Sequence, residues 1–341
     1  MRPYAHGGNV DAFALAHGFK ADEVIDFSAN INFIKPKVSP YYGNVPLGRY
    51  PEPTYRGLRE QLAARYGVPS AEQMELFNGA SSAIFSFFRF VTTRRCTLYA
   101  PIYLEYKKAA ELFGYETDLI DRFNTMDAEV AEGSLVVFVN PSTPDGTLYD
   151  METLLKQWAD KGCTVLVDES FLDFANGESA VRYLQRYDNL FILKSMTKFY
   201  ASAGVRIGAV IAGEKQIARL QECEPAWKLS ALDSAYMERA LMDRGFAETT
   251  RQATAENREM LKTVLEHSGL FDRVYPSAAN FILARLAEGD AATLQERLAP
   301  FKIMVRNCEN FDFLDGRYVR FAVKEKEVIE ALKNAFKRIS Q

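Results

Sequence analysis

Apolar and polar positions recur along this chain with two different periods. From Thr54 onward, Leu58, Leu62 and Tyr66 fall at helical spacing and Gly67 follows them, which predicts a helix started by Thr54 and closed by the glycine. Ile102 to Phe113 repeats the pattern, with Gly114 behind it. Between and after these segments lie short continuous apolar runs at 135–139, 164–167, 191–193 and 207–212. Continuous runs of this length are expected of strands buried on both faces of a parallel sheet. Strands of that kind alternating with helices predict an α/β unit with helices on both sides.

The pattern changes after residue 229. Residues 229–268 read as long helical material, followed by strand-like 280–284 and 318–323 and a final helix from about Glu325. This predicts a second, smaller α+β unit. The first 50 residues are rich in Gly, Asn and Pro and read as an ordered arm. The expected organisation is an arm over 1–45 packing with the smaller unit, a larger unit over 46–230 and the smaller unit over 231–341. The sequence shows no internal repeat.

Composition narrows the function classes. The chain has 341 residues, 48% hydrophobic and 25% charged, with a formal net charge of -4. The first two figures are ordinary for a globular protein, and the acidic balance disfavours nucleic acid as a partner. No stretch approaches the roughly 20 apolar residues that span a bilayer, and nothing near Met1 reads as a signal peptide. Cys96, Cys163, Cys223 and Cys308 are scattered, and only His6, His17 and His267 could join them, so no metal site is expected. Buried reduced thiols in a cytoplasmic protein are the reading. No Gly-x-Gly-x-x-Gly follows a strand, which disfavours a dinucleotide-binding dehydrogenase.

Candidate chemistry sits at the strand ends. The run at 135–139 ends in Asn140-Pro141, the run at 164–167 in Asp168-Glu169, and the run at 191–193 leads through Lys194 to Lys198. Ligands of open α/β sheets bind outside the carboxyl ends of the strands. An amide, a carboxylate and an amine therefore converge on one crevice, although each alone is an ordinary polar strand end. Gly79-Ala80-Ser81 opens an apolar helical run, where backbone N–H groups can cradle a phosphate or a plain cap can form.

Ser195-Met196-Thr197-Lys198-Phe199-Tyr200-Ala201-Ser202-Ala203-Gly204-Val205-Arg206-Ile207-Gly208 resembles the lysine signature of the fold-type I pyridoxal-phosphate (PLP) enzymes. The resemblance implies an α/β fold with a mostly parallel central sheet, and a PLP cofactor linked to Lys198 as an imine. Ser195 and Arg206 would hold the cofactor phosphate, with Gly79, Ala80 and Ser81, and Gly204 would give the backbone room to bend near the ligand. Asp168 corresponds to the carboxylate that pairs with the pyridine nitrogen and keeps it protonated. Asn140 corresponds to the donor to the ring hydroxyl oxygen, and Tyr103 to the ring stacked on the pyridine. One position departs from the family: a tyrosine often found three residues after the aspartate is Phe171 here, which cannot donate. A raised imine pKa is expected in consequence.

The resemblance covers nearly the whole chain and is closest to the histidinol-phosphate aminotransferase branch, in particular to its decarboxylases of phosphorylated threonine. His6-Gly7-Gly8-Asn9 and Asp26-Phe27-Ser28-Ala29-Asn30-Ile31-Asn32 carry it in the arm, Arg49-Tyr50-Pro51-Glu52-Pro53 after it, and 305–311 and 318–322 near the other end. It implies that Arg320 binds the substrate carboxylate, that Arg306, with His6, Gly7 and Asn32, binds the substrate phosphate or amino-acid part, and that Tyr50 reaches the cofactor phosphate of a neighbouring subunit in a homodimer with shared sites. The implied reaction is decarboxylation of L-threonine O-3-phosphate to (R)-1-amino-2-propanol O-2-phosphate in cobalamin synthesis. Transamination of histidinol phosphate is the alternative, and a PLP-binding protein without turnover the more remote one. Asn310-Phe311-Asp312-Phe313-Leu314 stands where the family usually has Asn-Phe-Pro-Gly-Leu, which puts the reach of Arg306 in question. For Arg320, exposure on a surface strand is the competing reading, since Val319 and Phe321 alternate with it.

Overall fold

The computed structural model describes residues 6–38 and 45–340; residues 1–5, 39–44 and 341, which fall in the expected arm and last unit, lie outside the described residues. The four apolar runs are strands, joined by three more: β1 (Met74–Asn78), β2 (Arg95–Ala100), β3 (Glu116–Asp121), β4 (Leu135–Val139), β5 (Thr164–Asp168), β6 (Leu190–Ser195) and β7 (Ile207–Ile211). They form one seven-stranded sheet in the order β1-β7-β6-β5-β4-β2-β3, in which β7 alone runs antiparallel to its neighbours. Strand β3 escapes the apolar pattern because it is an edge strand carrying Glu116, Asp118 and Asp121.

Side chains alternate across each strand, and this divides the apolar runs between two cores. Val136, Phe138, Val165, Val167 and Ile192 face Leu155, Trp158 and Phe199. Leu135, Val137, Val139, Leu166, Phe191 and Leu193 face Ile84, Phe87 and Phe88 of the helix Gly79–Phe90. The same alternation sorts the polar strand ends. Asp168 continues the side of Leu166, and Ser195 the side of Leu193. Glu169 and Lys194 fall on the opposite side, where they form a buried ion pair at 2.7 Å.

The helix expected from Thr54 runs Arg56–Tyr66, with Leu58, Leu62 and Tyr66 buried and Gly67 ending it at φ +64. Its first turn is held by Glu52, whose carboxylate accepts from the Arg56 and Thr54 N–H groups, so Thr54 is not the cap. Cys223 is exposed, unlike the other three cysteines, and all four are unpaired thiols.

The smaller sheet contains β8 (Phe271–Val274), β9 (Phe281–Leu286), β10 (Arg306–Asn307) and β11 (Tyr318–Ala322), all antiparallel in the order β10-β11-β9-β8. Val319, Phe321 and Ile282 turn toward the helices Phe246–Glu266 and Lys326–Ile339, where they meet Leu261, Leu265, Leu332 and Phe336. Arg320 takes the other face. Ile25–Asp26 pairs in parallel with Ile303–Met304, and Phe27 is buried in the smaller sheet's core, which anchors the arm there. Met237, Ala240 and Phe246 lie in the larger sheet's core, beyond the boundary expected at residue 230.

The sharpest steric requirement in the lysine segment falls on Gly208, not Gly204. A β-carbon at Gly204 would meet nothing, and its φ is not positive, so the room expected of it is not needed there. A β-carbon at Gly208 would lie 2.5 Å from the Ala80 nitrogen and 2.7 Å from the Gly79 carbonyl carbon. Backbone atoms cannot swing aside, so β7 can lie against the start of the helix Gly79–Phe90 only as glycine. Gly208→Ala is expected to lower the unfolding free energy by about 1–3 kcal/mol, the range for overpacking, whereas Gly204→Ala leaves it within about 0.5 kcal/mol; denaturant titration of both variants checks the contrast.

Candidate active site

A cavity of about 240 Å³ opens at the carboxyl ends of β5 and β6, between the two sheets and under the arm. Of the predicted residues it gathers His6, Gly7, Ala80, Ser81, Tyr103, Asp168, Ser195, Lys198, Arg206, Arg306 and Arg320. Among the described residues its wall therefore carries one lysine and three arginines against a single carboxylate, Asp168.

Asp168 is 5% exposed and heavily hydrogen-bonded. Its Oδ1 accepts from the Ser170 N–H at 2.9 Å and the Ser170 hydroxyl at 2.5 Å, and its Oδ2 from the Tyr106 hydroxyl at 2.8 Å. Lys198 lies on the helical turn Met196–Phe199 that follows β6. Its Nζ sits 4.8 Å from the centre of the Phe171 ring. Burial lowers its pKa from the ordinary lysine value; Asp168 acts in the opposite direction, and the charges of Arg320 and Arg206 lower it further.

The start of the helix Gly79–Phe90 has no side-chain cap, so its first N–H groups are available to an anion. Gly79 has φ +79, and the place of its missing β-carbon is filled by the Arg206 guanidinium, 2.6 Å away at Nη2. Gly79 thus lets Arg206 approach and does not itself line the cavity. Thr197, which the motif contains but which was not expected in the site, lines the wall and accepts from Arg206 Nη1 at 3.3 Å. Tyr103 is half-buried, within hydrogen-bond range of Ser81 at 3.4 Å and tilted against the His6 ring at 5.3 Å.

Arg306 and Arg320 are directly opposed across β10 and β11. Both are buried, at 6% and 8% exposure, so Arg320 is not a surface residue. Arg320 donates to the Thr143 hydroxyl at 3.1 Å and to the Ser28 carbonyl at 3.2 Å, and its Nε has no hydrogen-bond partner among the described residues. Burial, and then Arg306 alongside, bring its pKa down to about 10. Arg306 donates to Asn310 Oδ1 at 2.7 Å, and burial lowers its pKa too. Two buried guanidiniums side by side are unfavourable without an anion between or beyond them.

Besides Gly79, three predicted residues do something other than line this cavity. Asn140 continues the Phe138 side of β4, and its amide is engaged with the Tyr149 backbone, accepting at 2.9 Å and donating at 3.1 Å. Asn32 is buried, with Nδ2 donating to the Phe199 carbonyl and to Thr250 and Oδ1 accepting from the Ile34 N–H. It clamps the arm to the Lys198 segment and does not contact the cavity; Asn30 lines the wall instead, its Oδ1 without a hydrogen-bond partner among the described residues. Tyr50 is 74% exposed and stacks on Trp227 at 4.6 Å, outside its own chain's cavity. The arm is held over the cavity by the Gly8 N–H donating to Ser28 Oγ at 2.7 Å and by His6 against Glu105 at 3.0 Å. A β-carbon on Gly7 would collide with the Ser28 carbonyl at 2.3 Å.

The family model of aminotransferase class I and II matches residues 43–336, and the chain belongs to that family. It is 29% identical to the threonine-phosphate decarboxylase of Salmonella typhimurium over 98% of this chain and 96% of that protein. It is also 29% identical to the adenosylcobalamin biosynthesis bifunctional protein CobDQ of Leptospira interrogans, over 97% of this chain but only 41% of that longer protein. Among solved structures, histidinol-phosphate aminotransferase from Clostridium acetobutylicum superimposes with a TM-score of 0.83 at 27% identity, covering 92% of this chain and 98% of that one. The protein is an enzyme, and pyridoxal phosphate is its cofactor. No helix among the described residues is long and apolar enough to cross a membrane.

The Lys198 environment sets a pH dependence. An amine reacts with an aldehyde only when neutral, and after burial Arg320 is one of the charges that lower the Lys198 pKa. Arg320→Met is expected to raise the lysine pKa and so move the rise in cofactor uptake by apo-protein to higher pH, read from the absorbance of the bound cofactor. A midpoint that stays put or falls counts against this electrostatic coupling.

Proposed function

We propose that this enzyme decarboxylates L-threonine O-3-phosphate to (R)-1-amino-2-propanol O-2-phosphate, a step of cobalamin biosynthesis. The observation that carries the reading is the cross-strand pair of buried guanidiniums, Arg306 and Arg320, facing the same cavity as Lys198. A phosphorylated amino acid brings a carboxylate and a phosphate a short distance apart, which matches two cations held by one register pair.

The cavity suits the cofactor. An uncapped helix start, Ser195, Thr197 and Arg206 offer donors to a phosphate; a multiply hydrogen-bonded carboxylate, Asp168, suits a protonated pyridine nitrogen; and the Tyr103 ring suits the face of a pyridine. When bound, pyridoxal phosphate supplies an aldehyde for the amine and an electron sink for the bond that breaks at Cα. The chain's own residues do the rest. Arg320 takes the substrate carboxylate and orients its bond to Cα. Arg306 takes the phosphate, and His6 on the arm helps to close the site. The Cα–carboxylate bond breaks, carbon dioxide leaves, and Lys198 delivers the proton that Cα receives. The amide of Asn140 retains one N–H beyond its bonds to Tyr149, which is the donor we assign to the ring oxygen. Phe171 contributes an apolar face that keeps the Lys198 amine desolvated.

Tyr50 acts in a second copy of the chain. It stacks on the exposed Trp227 and shares a groove with the exposed Met242, apolar surface that a homodimer would cover while bringing Tyr50 to the partner's cofactor phosphate. The arm over 1–45, the larger unit over 46–230 and the smaller unit over 231–341 are proposed as the three parts that enclose the cavity. Transamination of histidinol phosphate is the second reading, favoured by the likeness to the Clostridium acetobutylicum enzyme.

Purified protein is expected to be yellow and to release carbon dioxide from L-threonine O-3-phosphate, with Lys198→Ala losing both properties. Arg306→Ala should lower kcat/KM about 100-fold, from the loss of a buried charge partner. Amino transfer from histidinol phosphate to 2-oxoglutarate, without carbon dioxide release from phosphothreonine, sinks the decarboxylase reading in favour of the second.

A further inference from the structure

The start of the helix Leu104–Leu112 touches two residues of the cavity wall and the loop beside it. Glu105 meets His6 of the arm, the Tyr106 hydroxyl meets Asp168, and Lys107 Nζ meets Asp312 Oδ1 at 2.6 Å. The last of these joins the helix to the loop that follows Arg306. That loop is held in an unusual shape. It makes two successive turns, with Phe311 N–H donating to the Cys308 carbonyl at 3.0 Å and Leu314 N–H to the Phe311 carbonyl at 3.2 Å. Phe313 has φ +66, a conformation that side chains with a β-carbon adopt only against a penalty. Asp312 Oδ2 is buried without a hydrogen-bond partner among the described residues, which is likewise unfavourable. A loop that keeps both features is fixed from outside, and Lys107 is the cation that reaches it.

What the loop fixes is Arg306. Asn310 Oδ1 accepts from its guanidinium, and the guanidinium lies 5.3 Å from the centre of the Phe311 ring, itself part of the cavity wall. Asp312 is the next residue. We propose that the Lys107–Asp312 pair is a latch that ties the Arg306 loop to the larger sheet's side and sets Arg306 for the phosphate of the substrate. Lys107 and Asp312 are positioning residues, since neither lines the cavity. The proposal rests on the reading of Arg306 as the phosphate-binding group. A fully exposed pair would hold little, but Asp312 is only 19% exposed and the pair joins the helix Leu104–Leu112 to the loop that follows Arg306.

The test uses the holoenzyme and inorganic phosphate as probe, so that it does not depend on which reaction the enzyme performs. Lys107→Ala and Asp312→Ala are expected to weaken calorimetric phosphate binding about three- to tenfold. The KM for L-threonine O-3-phosphate should rise by a similar factor while kcat and the cofactor absorbance stay the same. The exchange of charges, Lys107→Asp with Asp312→Lys, should recover most of the loss, and Arg306→Ala should abolish the binding. Phosphate affinity unchanged in both single variants, a charge exchange no better than either single, or phosphate binding that survives Arg306→Ala overturns the latch. If the single variants weaken phosphate binding but wild type releases no carbon dioxide from phosphothreonine, the latch stands and the decarboxylase reading falls.

Discussion

Repulsion among closely gathered cations is the constraint on which this site depends. Lys198, Arg206, Arg306 and Arg320 share one cavity wall with the carboxylate of Asp168. Charges removed from water must find partners or change protonation state. A lysine can yield its proton, and burial with neighbouring guanidiniums pushes Lys198 that way. The arginines cannot, and Arg320 Nε has no acceptor among the described residues. The proposed function supplies the anions that would complete the cavity: one phosphate beside the uncapped helix and Arg206, and a carboxylate with a second phosphate beside the opposed pair on the smaller sheet.

The fold brings these cations together from elements that have little else in common. Strand parity in the larger sheet turns Asp168 and Ser195 toward the cavity and sends Glu169 and Lys194 into a separate buried pair. Strand parity in the smaller sheet turns Val319 and Phe321 into that sheet's core and Arg320 out of it. The arm bridges the two: the Phe27 carbonyl accepts from the Ala322 N–H of the smaller sheet, the Ser28 carbonyl accepts from Arg320, and Asn32 bonds to the Lys198 segment. A residue such as Asn32 governs the chemistry through where it holds other groups.

Much of this was legible in the sequence because it is local. The buried strands showed as apolar runs, and the lysine segment with its arginine carried a resemblance specific enough to assign the cofactor. Other features depend on tertiary contact. Tyr106 reaches Asp168 across 62 residues and Thr143 reaches Arg320 across 177, and no spacing rule announces either. Asn30 and Asn32 differ by two positions, and only the folded arm shows which one faces the cavity. The glycine that matters most for close approach is Gly208, because what it must avoid is the backbone at residues 79–80, far away in sequence. Strand β3 was missed because an edge strand need not be apolar.

Ligand affinity in the Lys198→Ala protein loaded with pyridoxal phosphate, which is expected not to turn over, tests the requirement for two anions most directly. The account predicts that L-threonine O-3-phosphate binds at least about tenfold more tightly than L-threonine, a difference of about 1.4 kcal/mol. It further predicts that the preference disappears when Arg306→Ala is added. Equal affinity for the two ligands, or a preference that survives without Arg306, would contradict the claim that this cavity is shaped by the need for a second anion.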